Sequence, residues 1–223
     1  MSTKVKLLLV ICSVFVAAIA VGSNMGFKLN YALLTNTDNN NINWVAIPYF
    51  DNYTAAEDIC TDINTVDCTA GLASSIAYFD TATNSASTHG CGLPKNNFNI
   101  DAGRGYALSV TAGTCTWKIV GSHNDNYDAT SGVSFATNTD NNNINWISVP
   151  YHSTAAVAES VCIGINANCA NIVSSVAYFD TATNSASTHG CGLPKNNFNV
   201  LPGRALAVSV TAAGSSCWHP AHY

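Results

Sequence analysis

Alternating apolar and polar positions run along much of the chain, and they predict strands more often than helices. Asn43-Trp44-Val45-Ala46-Ile47-Pro48 is β-rich and closes at a proline, which cannot donate to a ladder, so a strand is expected there. Ser75 to Asp80 predicts a second strand, followed by a polar turn over Asp80 to Asn84. Phe98 to Ile100 and the turn Ala102-Gly103-Arg104-Gly105 lead into a strand over Tyr106 to Thr111, and Trp117 to Val120 predicts a last one. The helical signal is Thr54-Ala55-Ala56-Glu57, a capping box that opens a short helix running to about Ile63.

The same pattern then recurs. Residues 36–44 read NTDNNNINW, and so do residues 138–146. Residues 77–99, AYFDTATNSASTHGCGLPKNNFN, return unchanged at 177–199. Gly103-Arg104 returns as Gly203-Arg204 before an apolar run ending in SVTA. Thr154-Ala155-Ala156 repeats the helix start, but Val157 stands where the capping glutamate is expected, so the box is lost in the second copy. A repeat of this kind decides the architecture before any local detail. The expected fold is mainly β, as two tandem small β-sandwich or barrel-like domains, each disulfide-bonded and each with one short helix. The boundaries are a hydrophobic N-terminal segment over 1–20, repeat 1 over 21–120 and repeat 2 over 121–223. Repeats of this length can each bury their own core.

The order Asn43-Trp44, Pro48, Tyr78-Phe79-Asp80, Asn97-Phe98, Gly103 and Tyr106 is similar to tandem β-domains of secreted and cell-surface proteins of bacteria and archaea. The second copy matches through Asn145-Trp146, Pro150, Tyr178-Phe179-Asp180, Asn197-Phe198 and Gly203, and departs at Ala205-Leu206. The resemblance implies an extracellular modular protein and carries over no catalytic residue.

Composition sharpens this reading. Only 9% of residues are charged although 48% are apolar, so Asn, Thr and Ser supply the polar surface. The net charge of −5 and the lack of a basic run exclude a nucleic-acid backbone as partner. Lys4 and Lys6, the apolar run Leu7 to Val21 and the small residues around Ala18-Ile19-Ala20 predict an export signal cleaved after Ala20. A retained hydrophobic helix is the other reading of that segment. With cleavage no membrane attachment is expected, and the protein is placed outside the cell or on its surface.

Cys12 falls in the signal. The other eight cysteines, Cys60, Cys68, Cys91, Cys115, Cys162, Cys169, Cys191 and Cys217, are expected to form disulfides, two in each repeat. Spacing leaves three pairings open per repeat, with Cys60–Cys68 and Cys91–Cys115 preferred, repeated as Cys162–Cys169 and Cys191–Cys217. No C-x-x-C-H motif exists, which excludes covalent c-type haem.

The remaining candidates each have a plain structural alternative. The runs at Asn36–Asn43 and Asn138–Asn145 suggest a calcium loop, but each holds one carboxylate, so an asparagine turn is favoured and no cofactor is expected. His89 and Cys91, like His189 and Cys191, invite a metal, yet a disulfide would consume the cysteine. His219 and His222 beside Cys217 are expected to form a surface tail. Glu57, Asp58 and Asp62 are expected to face solvent from the helix. Trp44 and Trp146 are expected in the core rather than as sugar-stacking platforms. Asn52-Tyr53-Thr54 is a glycosylation sequon. No catalytic constellation is visible, and the chain is not expected to be an enzyme.

The ends of the repeats differ. After Cys115 the first continues through Trp117 and Ile119-Val120-Gly121-Ser122; after Cys217 the second continues only as Trp218-His-Pro-Ala-His-Tyr. Ile19-Ala20-Val21-Gly22-Ser23 resembles the missing piece. An incomplete edge invites pairing with another chain. The assembly residues are therefore Ile19, Val21, Gly22 and Ser23 on one subunit and Cys217 and Trp218 on the next, joined so that the subunit junction imitates the internal one. The expected function is a structural subunit of an extracellular filament or cell-surface layer. It would polymerise head to tail with copies of itself by N-terminal strand addition to the second domain. The alternative is a secreted glycan-binding or adhesion module.

Overall fold

The computed structural model describes residues 27–47, 51–68, 70–111, 113–122 and 132–220. Each repeat forms a four-stranded antiparallel sheet, a two-stranded sheet and one helical segment. In the first repeat the strands are β1 (Phe27–Leu33), β2 (Ile42–Ala46), β3 (Ala73–Asp80), β4 (Ser85–Gly90), β5 (Gly105–Val110) and β6 (Cys115–Gly121). The helix α1 spans Ala56–Thr61 and continues as a π-helical stretch over Asp62–Asp67. The second repeat runs β7 (Val133–Phe135), β8 (Ile144–Ile147), α2 (Ala158–Asn168), β9 (Val173–Asp180), β10 (Ser185–Gly190), β11 (Leu206–Val210) and β12 (Gly214–Trp218). The large sheets have the order β2-β5-β3-β4 and β8-β11-β9-β10, and the small ones pair β1 with β6 and β7 with β12.

The mainly β fold and the tandem arrangement stand as expected. Each core joins both sheets to the helix. In the first repeat Leu33, Ile59, Ile63, Ile76, Leu108, Trp117 and Ile119 form one fully buried cluster. In the second Phe135, Val161, Ile165, Val176, Val208 and Trp218 take those roles.

The strand β4, Ser-Ala-Ser-Thr-His-Gly, was not foreseen. It pairs with β3 in register from Ser75↔Gly90 to Asp80↔Ser85, and Asn84 at φ 48° closes the hairpin. Its side chains are mostly solvated, so it lacks an apolar stripe. The strand β1 was also not foreseen; its alternation continues to Leu33 against β6.

The disulfides correct the preferred pairing. They join Cys60 to Cys91, Cys68 to Cys115, Cys162 to Cys191 and Cys169 to Cys217. Cys60 and Cys68 lie on one helical segment, where a rise of about 1.5 Å per residue keeps them about 12 Å apart, beyond the reach of a bond. Each helix is instead fastened to the large sheet at one end and to the small sheet at the other.

The capping expectation is also corrected. Asp58 rather than Glu57 caps α1, accepting from the Thr54 and Ala55 amides at 2.8 and 2.9 Å. The box is absent from the second copy, as expected, because Ser160 stands where Asp58 caps α1. The glutamate itself remains, two residues beyond Val157: Glu159 accompanies Asn197 and His189 as Glu57 accompanies Asn97 and His89.

Candidate docking cleft between the repeats

The two large sheets meet through their β2 and β8 edges. Val45 bridges Arg204, and Ile147 bridges Arg104. The Ala46 amide donates to Gly203 at 2.9 Å, and the Ser148 amide donates to Gly103 at 3.0 Å. Thr81 Oγ1 donates to the Ile144 carbonyl at 2.6 Å; Thr181 Oγ1 donates to the Ile42 carbonyl at 2.9 Å. Reciprocal contacts of this kind define a pseudo-two-fold junction, in which each repeat covers the other's open sheet edge. Trp44 and Trp146 stack across it with ring centroids 3.7 Å apart and planes 7° apart. Neither ring is fully buried, so the expectation of two core residues is corrected: they stack on each other at the contact between repeats.

The asparagine runs serve the same junction. Asn40 and Asn41 adopt left-handed backbone conformations, at φ 56° and 57°, inside a tight 3₁₀ turn. Asn36 Nδ2 donates to the Thr181 carbonyl at 2.9 Å, and Asn141 Nδ2 donates to the Thr81 carbonyl at 3.1 Å. The side-chain oxygens of Asn36, Asn39 and Asn43 accept backbone amides. These groups are engaged in turn and junction bonds, as the asparagine-turn reading expects.

Among the described residues the small sheets of the two repeats differ. In the first repeat β1 is long, and Leu29 and Tyr31 lie against Gly203: a Cβ there would meet Leu29 Cδ2 at 2.5 Å and Tyr31 Cδ2 at 3.2 Å. Tyr31 donates its hydroxyl to the Trp44 carbonyl at 3.1 Å, and burial pushes its pKa up to about 12. In the second repeat β7 spans Val133–Phe135, with Val133 the counterpart of Tyr31, and residues 123–131 before it lie outside the described residues. Among the described residues a cleft of about 380 Å³ lies beside β7. Its walls include Phe79, Asp80, Arg104, Val133, Asn145 and Trp146. Arg104 pairs with Asp101 at 2.8 Å and lies over the Tyr78 ring at 4.3 Å, so the cleft has one charged rim on an otherwise mixed lining.

The small sheet beside this cleft is short as well. Between Gly214↔Phe135 and Trp218↔Val133 the register shifts, and β12 stops at the core tryptophan, whereas β6 continues beyond Trp117 to Gly121. Of the expected assembly residues, Cys217 is bonded to Cys169 and Trp218 is buried. Ile19, Val21, Gly22 and Ser23 lie outside the described residues. His222 does too, but His219 is not a surface tail: it is half-buried against Gly132. Asn52 is exposed.

The acidic residues of α1 do not all face solvent. Glu57 Oε2 lies 2.6 Å from His89 Nε2, and Glu159 Oε2 lies 2.6 Å from His189 Nε2. Both histidines are fully buried. Asp62 accepts from Trp117 Nε1 at 2.8 Å and from the Tyr53 hydroxyl at 2.5 Å. The bond between His189 and Glu159 raises the histidine's pKa and lowers the glutamate's. Asp51, missed in the sequence, has its pKa raised to about 7 by burial, partly offset by the Tyr53 amide.

Among the described residues no helix is long and apolar enough to cross a membrane. The four disulfides are compatible with an extracellular protein. Comparison with protein-family models, curated proteins and solved structures finds no match.

Proposed function

We propose that this chain is an exported structural subunit that assembles with copies of itself, each second repeat accepting an extended N-terminal segment from a neighbour. The observation that carries the reading is the cleft of about 380 Å³ that the described residues line beside β7, next to Gly103, whose counterpart Gly203 in the other repeat meets Leu29 and Tyr31 of β1. An extended segment laid there would pair beside the short β7–β12 sheet and place apolar side chains against Val133, Phe79 and Trp146. Residues 21–26 precede β1 directly and carry the small and apolar side chains for this, Val21, Gly22, Ser23 and Met25. A donor entering another subunit's cleft makes a head-to-tail contact, which propagates rather than closes.

Low charge and disulfide fastening suit a polymer outside the cell, each disulfide contributing about 2–4 kcal/mol. The test is deletion of residues 21–26, which spares β1 from Phe27 onward. Expected is a folded, disulfide-bonded monomer that no longer polymerises; filaments from the deleted chain would refute the reading.

A further inference from the structure

We propose that each repeat carries a divalent-metal site of the zinc class that is closed by its disulfide and opens when that disulfide is reduced. This stands apart from the assembly reading. The ligands are Glu57, Cys60, His89 and Cys91 in the first repeat and Glu159, Cys162, His189 and Cys191 in the second. They read E-x-x-C followed by H-G-C in both. On a helix, positions three apart share a face; on a strand, positions two apart do. So α1 presents the carboxylate and one sulfur together, and the end of β4 presents the imidazole and the other sulfur toward them.

The placement is already close. The ligand atoms of Glu57, Cys60 and His89 lie within 4.8 Å of one another, as do those of Glu159, Cys162 and His189. Zinc bonds of about 2.0–2.3 Å would set such atoms about 3.5 Å apart, so a contraction of about one ångström suffices. The disulfides place Cys91 Sγ on Cys60 Sγ and Cys191 Sγ on Cys162 Sγ. Each histidine is oriented as a metal ligand would be: Nδ1 faces a backbone carbonyl, of Lys95 or Lys195, at 2.9 Å, and Nε2 points into the cluster. Two thiolates, an imidazole and a carboxylate make a four-coordinate set suited to zinc.

A dithiol reductant opens the site. The cysteine S–S bond breaks, the reductant forms its own disulfide, and two protons pass to the cysteine sulfurs. The entering dication then displaces both thiol protons and the hydrogen on Nε2, while Nδ1 keeps its hydrogen on the carbonyl. In the oxidised chain the sulfurs are bonded to each other and the proton between His and Glu takes the metal's place.

The test uses the whole mature protein and cobalt(II) as probe, with the dithiol removed before loading. Expected are tetrahedral cobalt bands with thiolate charge transfer at two ions per reduced chain, and none for the oxidised chain. His189→Gln should leave one ion per chain, and the double variant His89→Gln with His189→Gln should weaken binding more than about 100-fold. Uptake by the oxidised chain, or uptake by the reduced chain that ignores both histidine changes, would overturn the proposal. Circular dichroism covers a reduced chain that loosens. Cobalt should restore its β signal, and a reduced chain that stays unfolded without tetrahedral bands also overturns it.

Discussion

Single residues in the two repeats serve as controls for each other. Asp51 and Ser153 occupy matching turns: Asp51 Oδ1 accepts the Tyr53 amide at 2.6 Å, and Ser153 Oγ accepts the Ala155 amide at 3.1 Å. Asp51 Oδ2 is buried without a partner. Its folded pKa of about 7 lies above the ordinary 3.8, so the folded state holds a proton that the unfolded chain releases first. Stability therefore falls as pH rises from about 4 to about 7 and is level above that. Asp51→Ser should remove the fall and stabilise the chain above pH 7 by about 1–3 kcal/mol, read from urea unfolding at pH 4 and pH 8. An equal effect at both pH values would contradict this assignment.

The His189–Glu159 pair has the opposite profile. The carboxylate's contribution is complete above 4.5 and lost as pH falls through its lowered folded value. The histidine's contribution is complete below 6.5 and lost as pH rises through its raised folded value. The melting-temperature gap between the wild type and Glu159→Gln should thus peak between pH 4.5 and 6.5 and narrow on both sides. A gap that widens steadily with pH would rule the pairing out.

At the scale of elements, the disulfides tie helix to sheet. Peptide mapping without reduction should recover Cys60–Cys91 and Cys68–Cys115 as separate links, and a Cys60–Cys68 link would exclude the helical segment. Gly203 tests the packing of β1 on the second repeat. It has a left-handed backbone, at φ 81°, and a Cβ there would meet Leu29 Cδ2 at 2.5 Å. Gly203→Ala should cost about 1–3 kcal/mol in denaturant unfolding, and adding Leu29→Ala should recover part of that loss; no recovery would mean that Leu29 does not press on the site.

What could be read from the chain follows the strength of its local signals. β2, β3, β5 and β6 were legible because each alternates apolar and polar residues, and the repeat made the tandem arrangement plain. β4 was not, because Ser85 to Thr88 point small polar groups into solvent and owe their strand to the neighbouring β3. The pairing of cysteines depends on where α1 ends, and its π-helical extension to Asp67 has no sequence signature. The cleft lies between two segments from different repeats, Phe79–Arg104 and Gly132–Ile147, which local patterns do not connect.

For the whole molecule, the pseudo-two-fold junction couples the repeats through backbone bridges and a ring stack. The stacked tryptophans and the mutual covering of β2 and β8 should give a single calorimetric transition. Trp146→Ala, which removes an aromatic pair worth about 0.5–1.5 kcal/mol beyond its buried area, should split it into two. A single unshifted transition in that variant would show that the stack contributes little to the coupling.

A neighbour that completes the second repeat would be visible by cryo-electron microscopy of material shed by the producing cells. Expected are filaments in which an extended segment from the adjacent subunit lies against Val133, Phe79 and Trp146 in the cleft beside β7. Filaments with that cleft empty, or only separate monomers, would contradict it.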